Sequence, residues 1–231
     1  MPSDVSSVDD LPRTIPVFPL PGVLLLPGTR LPLNIFEPRY LEMVTDAMAG
    51  HRLIGMVQPS GQGRDPMTPP IFDVGGAGRI TAYQETDDGR LLITLTGVSR
   101  FRIDQELPAT TKYRQVMADW QTYATDLSET ADDDAIDRAR LLLALRAYLE
   151  VLKTEADWDA IGKAPAATLV DHLAMICPLQ PNEKQALLES VDVIERARVL
   201  TALLEMAALQ RASAGADDDD EDDGGAPPAT H

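Results

Sequence analysis

The spacing of apolar residues changes along this chain. Up to residue 120 they fall in short alternating or continuous runs broken by proline and glycine, and beyond residue 138 they recur at helical intervals. Residues 15–18, 23–26 and 31–35 read as short strands. Pro16, Pro19, Pro21, Pro27 and Pro32 among and between them cannot donate to a ladder, which predicts a small, sharply curled sheet of short or edge segments. Residues 38–48 read as a helix with proline in its first turn, where the missing N–H costs nothing. Tyr40, Leu41, Val44 and Met48 give that helix one apolar face. A strand follows at 53–58, then a loop at 64–70 with little to bury. Residues 80–86 and 90–96 flank Asp87-Asp88-Gly89, a hairpin signal because Asp and Gly tolerate the positive φ of tight turns. Phe101 and Ile103 continue the sheet and 113–120 closes it.

Residues 126–137 hold six acids and almost nothing apolar, the pattern of a connector followed by a capped helix start. Leu141, Leu145, Tyr148, Leu149 and Leu152 then form an amphipathic stripe. Further helices are predicted at about 165–176, stopped by Pro178, from Pro181, and at 191–210, where Val193, Ala197, Leu200, Leu204 and Ala208 share a face. Four helices of this kind pack as a bundle. Strands first and helices afterwards make the fold class α+β.

Composition narrows the partners. The net charge is −17, and removing the acidic run 217–223 still leaves −10, so a nucleic acid or an anionic membrane finds no basic stripe to hold its phosphates. No apolar run approaches the roughly 20 residues of a membrane helix, and the first residues, MPSDVSSVDDLPR, carry acids where a signal peptide is basic. A cytoplasmic protein is expected. After Leu209 no large apolar residue occurs, so a disordered tail is expected from residue 212.

Candidate chemistry is sparse. Of the three histidines, His51, His172 and His231, one lies in the expected tail and His172 sits on a helix beside Leu169, Leu173 and Ile176, where a structural role is expected. No metal-spaced carboxylate set, H-E-x-x-H or G-x-S-x-G occurs, and none of the four lysines is placed beside a serine as a Ser-Lys nucleophile requires. The lone Cys177, at helical spacing in an apolar stretch, reads as a buried structural thiol. Gly162-Lys163 is followed by Ala164, so it is no phosphate loop.

One resemblance is specific. Phe18-Pro19-Leu20, Leu24-Leu25-Leu26-Pro27-Gly28 and Ile35-Phe36-Glu37-Pro38-Arg39-Tyr40, in this order, resemble the opening of the amino-terminal substrate-binding domain of the ATP-dependent protease Lon. The likeness continues through Gly55-Met56-Val57, Gly89-Arg90, Gly97, Arg100-Phe101-Arg102 and Lys184 to Glu189, covering roughly residues 12–210. It implies a PUA-like curled β-sheet pseudo-barrel with one helix, followed by a helical bundle. The expected layout is a flexible 1–12, a β subdomain at 13–125, a helical subdomain at 126–211 and an acidic tail at 212–231. Gly75-Gly76-Ala77-Gly78 stands where relatives carry larger residues, which marks a looser edge or the close approach of another backbone. The carboxyl-terminal helix is shorter than the arm that leads into the ATPase of full-length Lon, so oligomeric state is left open.

The resemblance implies a stand-alone, non-enzymatic copy of the substrate-binding part, with no cofactor and no metal. It would recognise unfolded protein or peptide segments, with delivery to a protease or chaperone as a further step. Apolar area for a ligand would come from Phe18, Phe36, Tyr40 and Phe101, for which a place in the core is the competing expectation. Glu37, Arg39 and Arg100 are expected to form an internal charged network rather than to touch ligand. Two alternatives stay open. A PUA-like nucleic-acid or small-ligand binder would cluster Arg79, Arg90, Arg100 and Arg102 on one sheet face, and a regulatory subunit would present an uncovered apolar helix face.

Overall fold

The structure, a computed structural model, describes residues 7–61, 68–127 and 133–219, with 212–219 as backbone only. Its first half is a six-stranded sheet: β1 (Thr14–Pro19), β2 (Arg30–Ile35), β3 (Leu53–Val57), β4 (Val74–Glu85), β5 (Leu91–Glu106) and β6 (Arg114–Asp119), with helix α1 (Pro38–Ala49) between β2 and β3. The order is β2-β5-β4-β3-β1-β6, and β5 pairs with β6 as well, so the sheet closes on itself through its longest strand. Only β1 and β3 run parallel. The hairpin predicted around Asp88 joins β4 to β5, with Gly89 at φ 78° in its turn. Inside the closed part lie Ile15, Val17, Phe101, Val116 and Trp120. On the side of α1, Tyr40, Met43 and Val44 pack against Ile54, Ile93 and Leu95.

The second half is helical: α2 (Arg138–Val151), α3 (Trp158–Lys163), α4 (Ala166–Ile176), α5 (Pro181–Glu189) and α6 (Val193–Asp219). The pattern predicted four of these. α3 is too short to show an apolar period, and its local signals are confined to its ends: the Asp157 side chain accepting the Ala160 N–H, Asp159 in the first turn and Lys163 in the last. α2 and α6 run side by side in the same direction, since Arg140 meets Glu205 and Tyr148 meets Arg211 one helical stretch further on. Leu200 and Leu204 of the predicted α6 face are fully buried, with Ala197 and Ala208 beside them. α6 continues to Asp219, into the stretch expected to be disordered, and residues 220–231 of that stretch lie outside the described residues.

Two expectations need correction. Residues 8–12 are not loose: Val8–Asp10 form a 3-10 turn capped by Ser7, Leu11 is buried in the barrel, and the Trp120 Nε1–H donates to the Pro12 carbonyl at 3.0 Å. Residues 1–6 lie outside the described residues. Residues 23–26 are not a strand. Pro21 and Pro27 flank them, and Gly22 and Gly28 take φ of 71° and 73°, so the segment is turned at both ends and joins no ladder.

This segment is a buried strap instead. Leu24 and Leu26 point into the helical core, whereas Leu25 points into the core beside α1. The strap lies directly on the sheet because Gly76 and Gly97 leave room for its carbonyls. A Cβ at Gly76 would stand 1.8 Å from the Leu25 oxygen, and one at Gly97 2.0 Å from the Leu26 oxygen. The glycine run of β4 thus accommodates another backbone, the second of the two readings of that run.

Gly76→Ala should therefore lower stability by at least about 3 kcal/mol, because neither the strand nor the strap can yield. Gly162→Ala, with nothing within 4 Å of the new methyl, should leave the urea midpoint unchanged or raise it slightly. Equilibrium urea unfolding of the two variants checks both outcomes.

Candidate functional site

The residues singled out by sequence separate into three groups in space. Phe18 and Tyr40 are buried and pack ring to ring, with centroids 4.1 Å apart, and Phe101 is wholly buried against Trp120. These three are core. Phe36 is 63% exposed at the end of β2 and is the one aromatic of the four open to a ligand. Glu37 and Arg39 pair with each other at 2.9 Å, and the Arg39 guanidinium lies 4.5 Å from the Tyr40 ring centroid.

Arg100 does not join them, and the expected single charged network is two separate ones. On β5 the alternation of buried and open positions breaks at Ser99, Arg100 and Phe101, all buried, because Phe101 points into the barrel and Arg100 points outward under the helical half. The Arg100 guanidinium grips Asp126 with Nε to Oδ2 at 2.9 Å and Nη2 to Oδ1 at 2.7 Å, while its own backbone N–H donates to the same carboxylate at 2.8 Å. Nη1 donates to the carbonyls of Leu188 and Ser190 at the end of α5, and the Tyr123 ring lies 4.2 Å from the guanidinium. One side chain thereby ties the sheet, the connector and the bundle together.

A second tie uses glutamines. Gln58, fully buried after β3, accepts the Gly22 N–H and donates to the Pro181 carbonyl and to Gln185 Oε1, and Gln185 donates to the Val74 carbonyl at 3.1 Å. Nearby, Arg196 of α6 donates to Asp171 of α4 at 2.7 Å and to the Leu187 carbonyl. Burial pushes the Asp171 carboxyl up, and the neighbouring Arg196 offsets only part of that. Asp126, Gln58, Gln185 and Arg196 were missed in the sequence because a polar residue between strands or on a helix looks the same whether it faces water or a second layer.

The most open surface is the far end of the sheet. β3 pairs with β4 only as far as Arg79, where the Ile80 N–H donates to the Arg52 carbonyl, so among the described residues 81–85 of β4 have β5 on one side and no strand on the other. β2 likewise pairs with β5 alone. In an antiparallel ladder the backbone groups of successive residues alternate in direction. The Thr86 N–H bonds the Arg90 carbonyl, so Gln84 and Ala82 face β5, and Tyr83 and Glu85 face outward. By the same rule, the Gly97 N–H on the Thr29 carbonyl turns Arg30, Pro32 and Asn34 outward on β2.

The face of this tip away from α1 is uncharged apart from Arg30 and carries Leu92, 41% exposed, whereas Tyr83, opposite Ile93 in the register, is 44% exposed on the other face. A shallow depression of about 480 Å³ runs across it, lined by Pro32, Leu33, Asn34, Tyr83, Leu92 and Thr94 among others. The four arginines that would mark a nucleic-acid face do not cluster. Arg100 is buried, Arg90 pairs with Asp88 in the hairpin turn, Arg79 donates to the His51 carbonyl at the start of β3, and Arg102 stands opposite Asp119 on β6.

Reactive groups are occupied structurally. Among the described residues no group of His, Cys, Asp and Glu is arranged to hold a metal ion, and no helix is long and apolar enough to cross a membrane. Lys184 is buried with Nζ on the Met175 carbonyl, and His172 Nδ1 lies 2.8 Å from the Thr168 carbonyl on an exposed helix face. Burial pushes the Cys177 thiol up to about 11.

Two outcomes follow from this geometry. Asp126→Ala, which leaves the Arg100 charge buried and unpaired, should cost about 3–5 kcal/mol in urea unfolding. Arg100→Lys should not restore the loss, since a single ammonium cannot span the carboxylate and the α5 carbonyls as the planar fork does. Cys177, protonated and enclosed at pH 8, should react with a disulfide reagent such as DTNB only at the rate of unfolding, and at once in urea.

Comparison with known proteins agrees with this architecture. The ATP-dependent protease La (LON) substrate-binding domain family matches residues 14–206. Lon protease of Dictyoglomus thermophilum is 25% identical over 200 residues, which cover 86% of this chain and 25% of that protein. Lon protease of Roseiflexus castenholzii is 29% identical over 202 residues, covering 85% of this chain and 24% of that protein. The chain thus spans about a quarter of the length of the Lon proteases it matches. The crystal structure of a Lon N-terminal domain protein from Xanthomonas campestris aligns with a TM-score of 0.57 at 26% identity, over 82% of this chain and 97% of that one. The N-terminal domain of Mycobacterium avium complex Lon protease aligns with a TM-score of 0.59 at 19% identity, over 83% and 97%, a likeness of fold alone. With its curled six-stranded sheet latched to a helical half, and with 14–206 matched as one stretch, the chain belongs to the Lon substrate-binding domain family.

Proposed function

We propose that this chain is a non-catalytic module that binds unfolded or peptide-like protein segments and serves ATP-dependent proteolysis or quality control by passing them to a protease or chaperone. The observation that carries the reading is the sheet tip, where two strand edges have outward backbone groups without a neighbouring strand among the described residues, beside an uncharged face bearing Leu92, with the Tyr83 ring exposed on the other side of the edge. Main-chain hydrogen bonds at such an edge accept any extended sequence, and a shallow apolar face adds affinity without strict side-chain selection. Folded proteins keep their own edges paired or covered, so the same surface discriminates by conformation. The family match and the Lon relatives support this reading.

Fluorescence anisotropy of a labelled, permanently unfolded polypeptide against the full chain tests it. Saturable binding with a shallow dependence on salt is expected, with none to the folded counterpart. Labelled RNA, run in parallel, should not bind; RNA binding that falls steeply with salt would instead indicate phosphate contacts and overturn the proposal.

A further inference from the structure

Resting on the reading just given, we infer that the β4 edge at residues 81–85, and not the β2 edge, is where an extended segment adds to the sheet, antiparallel to β4 and with an acidic side chain towards its carboxyl-terminal end. The two edges differ in one residue that decides between them. On β2, the outward-facing position in the middle of the edge is Pro32, which has no N–H to offer and whose ring stands in the approach path. On β4, the outward positions are Tyr83 and Glu85, each with a free N–H and C=O. The bulge between Ile80 and Ala82 marks where β4 leaves the barrel, and all five residues from Thr81 to Glu85 are exposed.

Direction follows from the strand that occupies this lane lower down. β3 runs antiparallel to β4 and begins at Leu53 opposite Arg79. A segment placed antiparallel on residues 81–85 lies in line with β3 and ends against the start of that strand, at His51 and Arg52. Arg52 is exposed there, held at φ 60°, and Arg79 lies alongside with one guanidinium nitrogen on the His51 carbonyl. Among the described residues no carboxylate pairs with either arginine, in a chain whose net charge is −17. At the other end of the edge stand Glu85, Asp87 and Asp88, the last already paired with Arg90. The edge is therefore positive where the incoming carboxyl-terminal end arrives and negative where its amino-terminal end lies. This complements a segment that carries an acid near its carboxyl-terminal end. The Tyr83 ring, 44% exposed and next to Ile93 of β5, offers apolar contact to an uncharged residue in between.

The test uses the full chain, the unfolded polypeptide of the previous experiment and two short, carboxy-amidated peptides of alternating valine and threonine. One peptide carries glutamates near its carboxyl-terminal end and the other carries lysines there. Tyr83→Pro copies the device already present at Pro32: it removes an outward N–H while leaving the bonds to β5 in place. It should weaken both the unfolded polypeptide and the glutamate peptide about tenfold, with the urea midpoint little changed. Arg52→Asn keeps the left-handed backbone, which asparagine tolerates, and should weaken the glutamate peptide about threefold while leaving the weaker lysine peptide unaffected. If the unfolded polypeptide binds wild type and both variants equally, the β4 edge is not the site, although the proposed function stands. If wild type binds no unfolded polypeptide, that function itself fails. A concentration-dependent dimer in sedimentation that Tyr83→Pro abolishes would assign the edge to a second copy of the chain and overturn the inference.

Discussion

Arg100 is where the two halves of this protein become one. A guanidinium taken fully out of water costs several kcal/mol unless each of its donors finds a partner. Here the partners come from two places far apart in the sequence: Tyr123 and Asp126 just after β6, and the carbonyls that end α5. None of these alone would hold the charge. The sheet half can bury Arg100 only if the helical half is seated, and the end of α5, whose carbonyls have no partner inside the helix, is satisfied only if Arg100 is there. Gln58 and Gln185 repeat the arrangement with neutral groups a short way along the same seam.

The strap makes the dependence apolar as well as polar. Leu24 and Leu26 belong to the first half by sequence and to the helical core by contact, and Val74 of β4 joins them there. The seam is thus a continuous core with a few fully bonded polar groups set into it. The sheet tip has the opposite character: α1 covers one face only, and β4 ends in exposed residues with an unpaired edge among the described residues. One end of the sheet is consumed by holding the molecule together, which leaves the other end free to meet something else.

What the sequence disclosed followed from how local each signal was. The β4–β5 hairpin was readable because Asp88-Gly89 and the alternation of β5 are local, and α1 because Pro38 and the Tyr40–Met48 stripe are. Residues 23–26 misled because three leucines in a row carry no period. Two layers claim them from opposite sides, and only the glycines at 76 and 97, far away in the chain, reveal that a backbone lies there. Of the candidate site, Glu37, Arg39 and Arg100 read as one charged network, which the structure divides in two, since the pairing of Arg100 with Asp126 spans 26 positions and a disposable-looking acidic connector. Tyr83 and Leu92 went unremarked because an exposed strand tip and a buried strand share one alternation. Which of the two it is depends on whether a neighbour strand reaches that far.

The strap also sets a condition on how the protein is made. Synthesis on the ribosome delivers the sheet half first. Most of the groups that cover Leu24 and Leu26, and the carbonyls that complete the Arg100 site, arrive only with α4, α5 and α6, which begin roughly 45 to 75 residues after the end of β6. At about 5–20 residues per second, the finished sheet waits on the order of several seconds with an apolar strap, and a guanidinium still lacking its α5 carbonyls, open to solvent. In the nascent chain, the surface that will become the seam is itself an unfolded client, of the kind the completed module is proposed to hold.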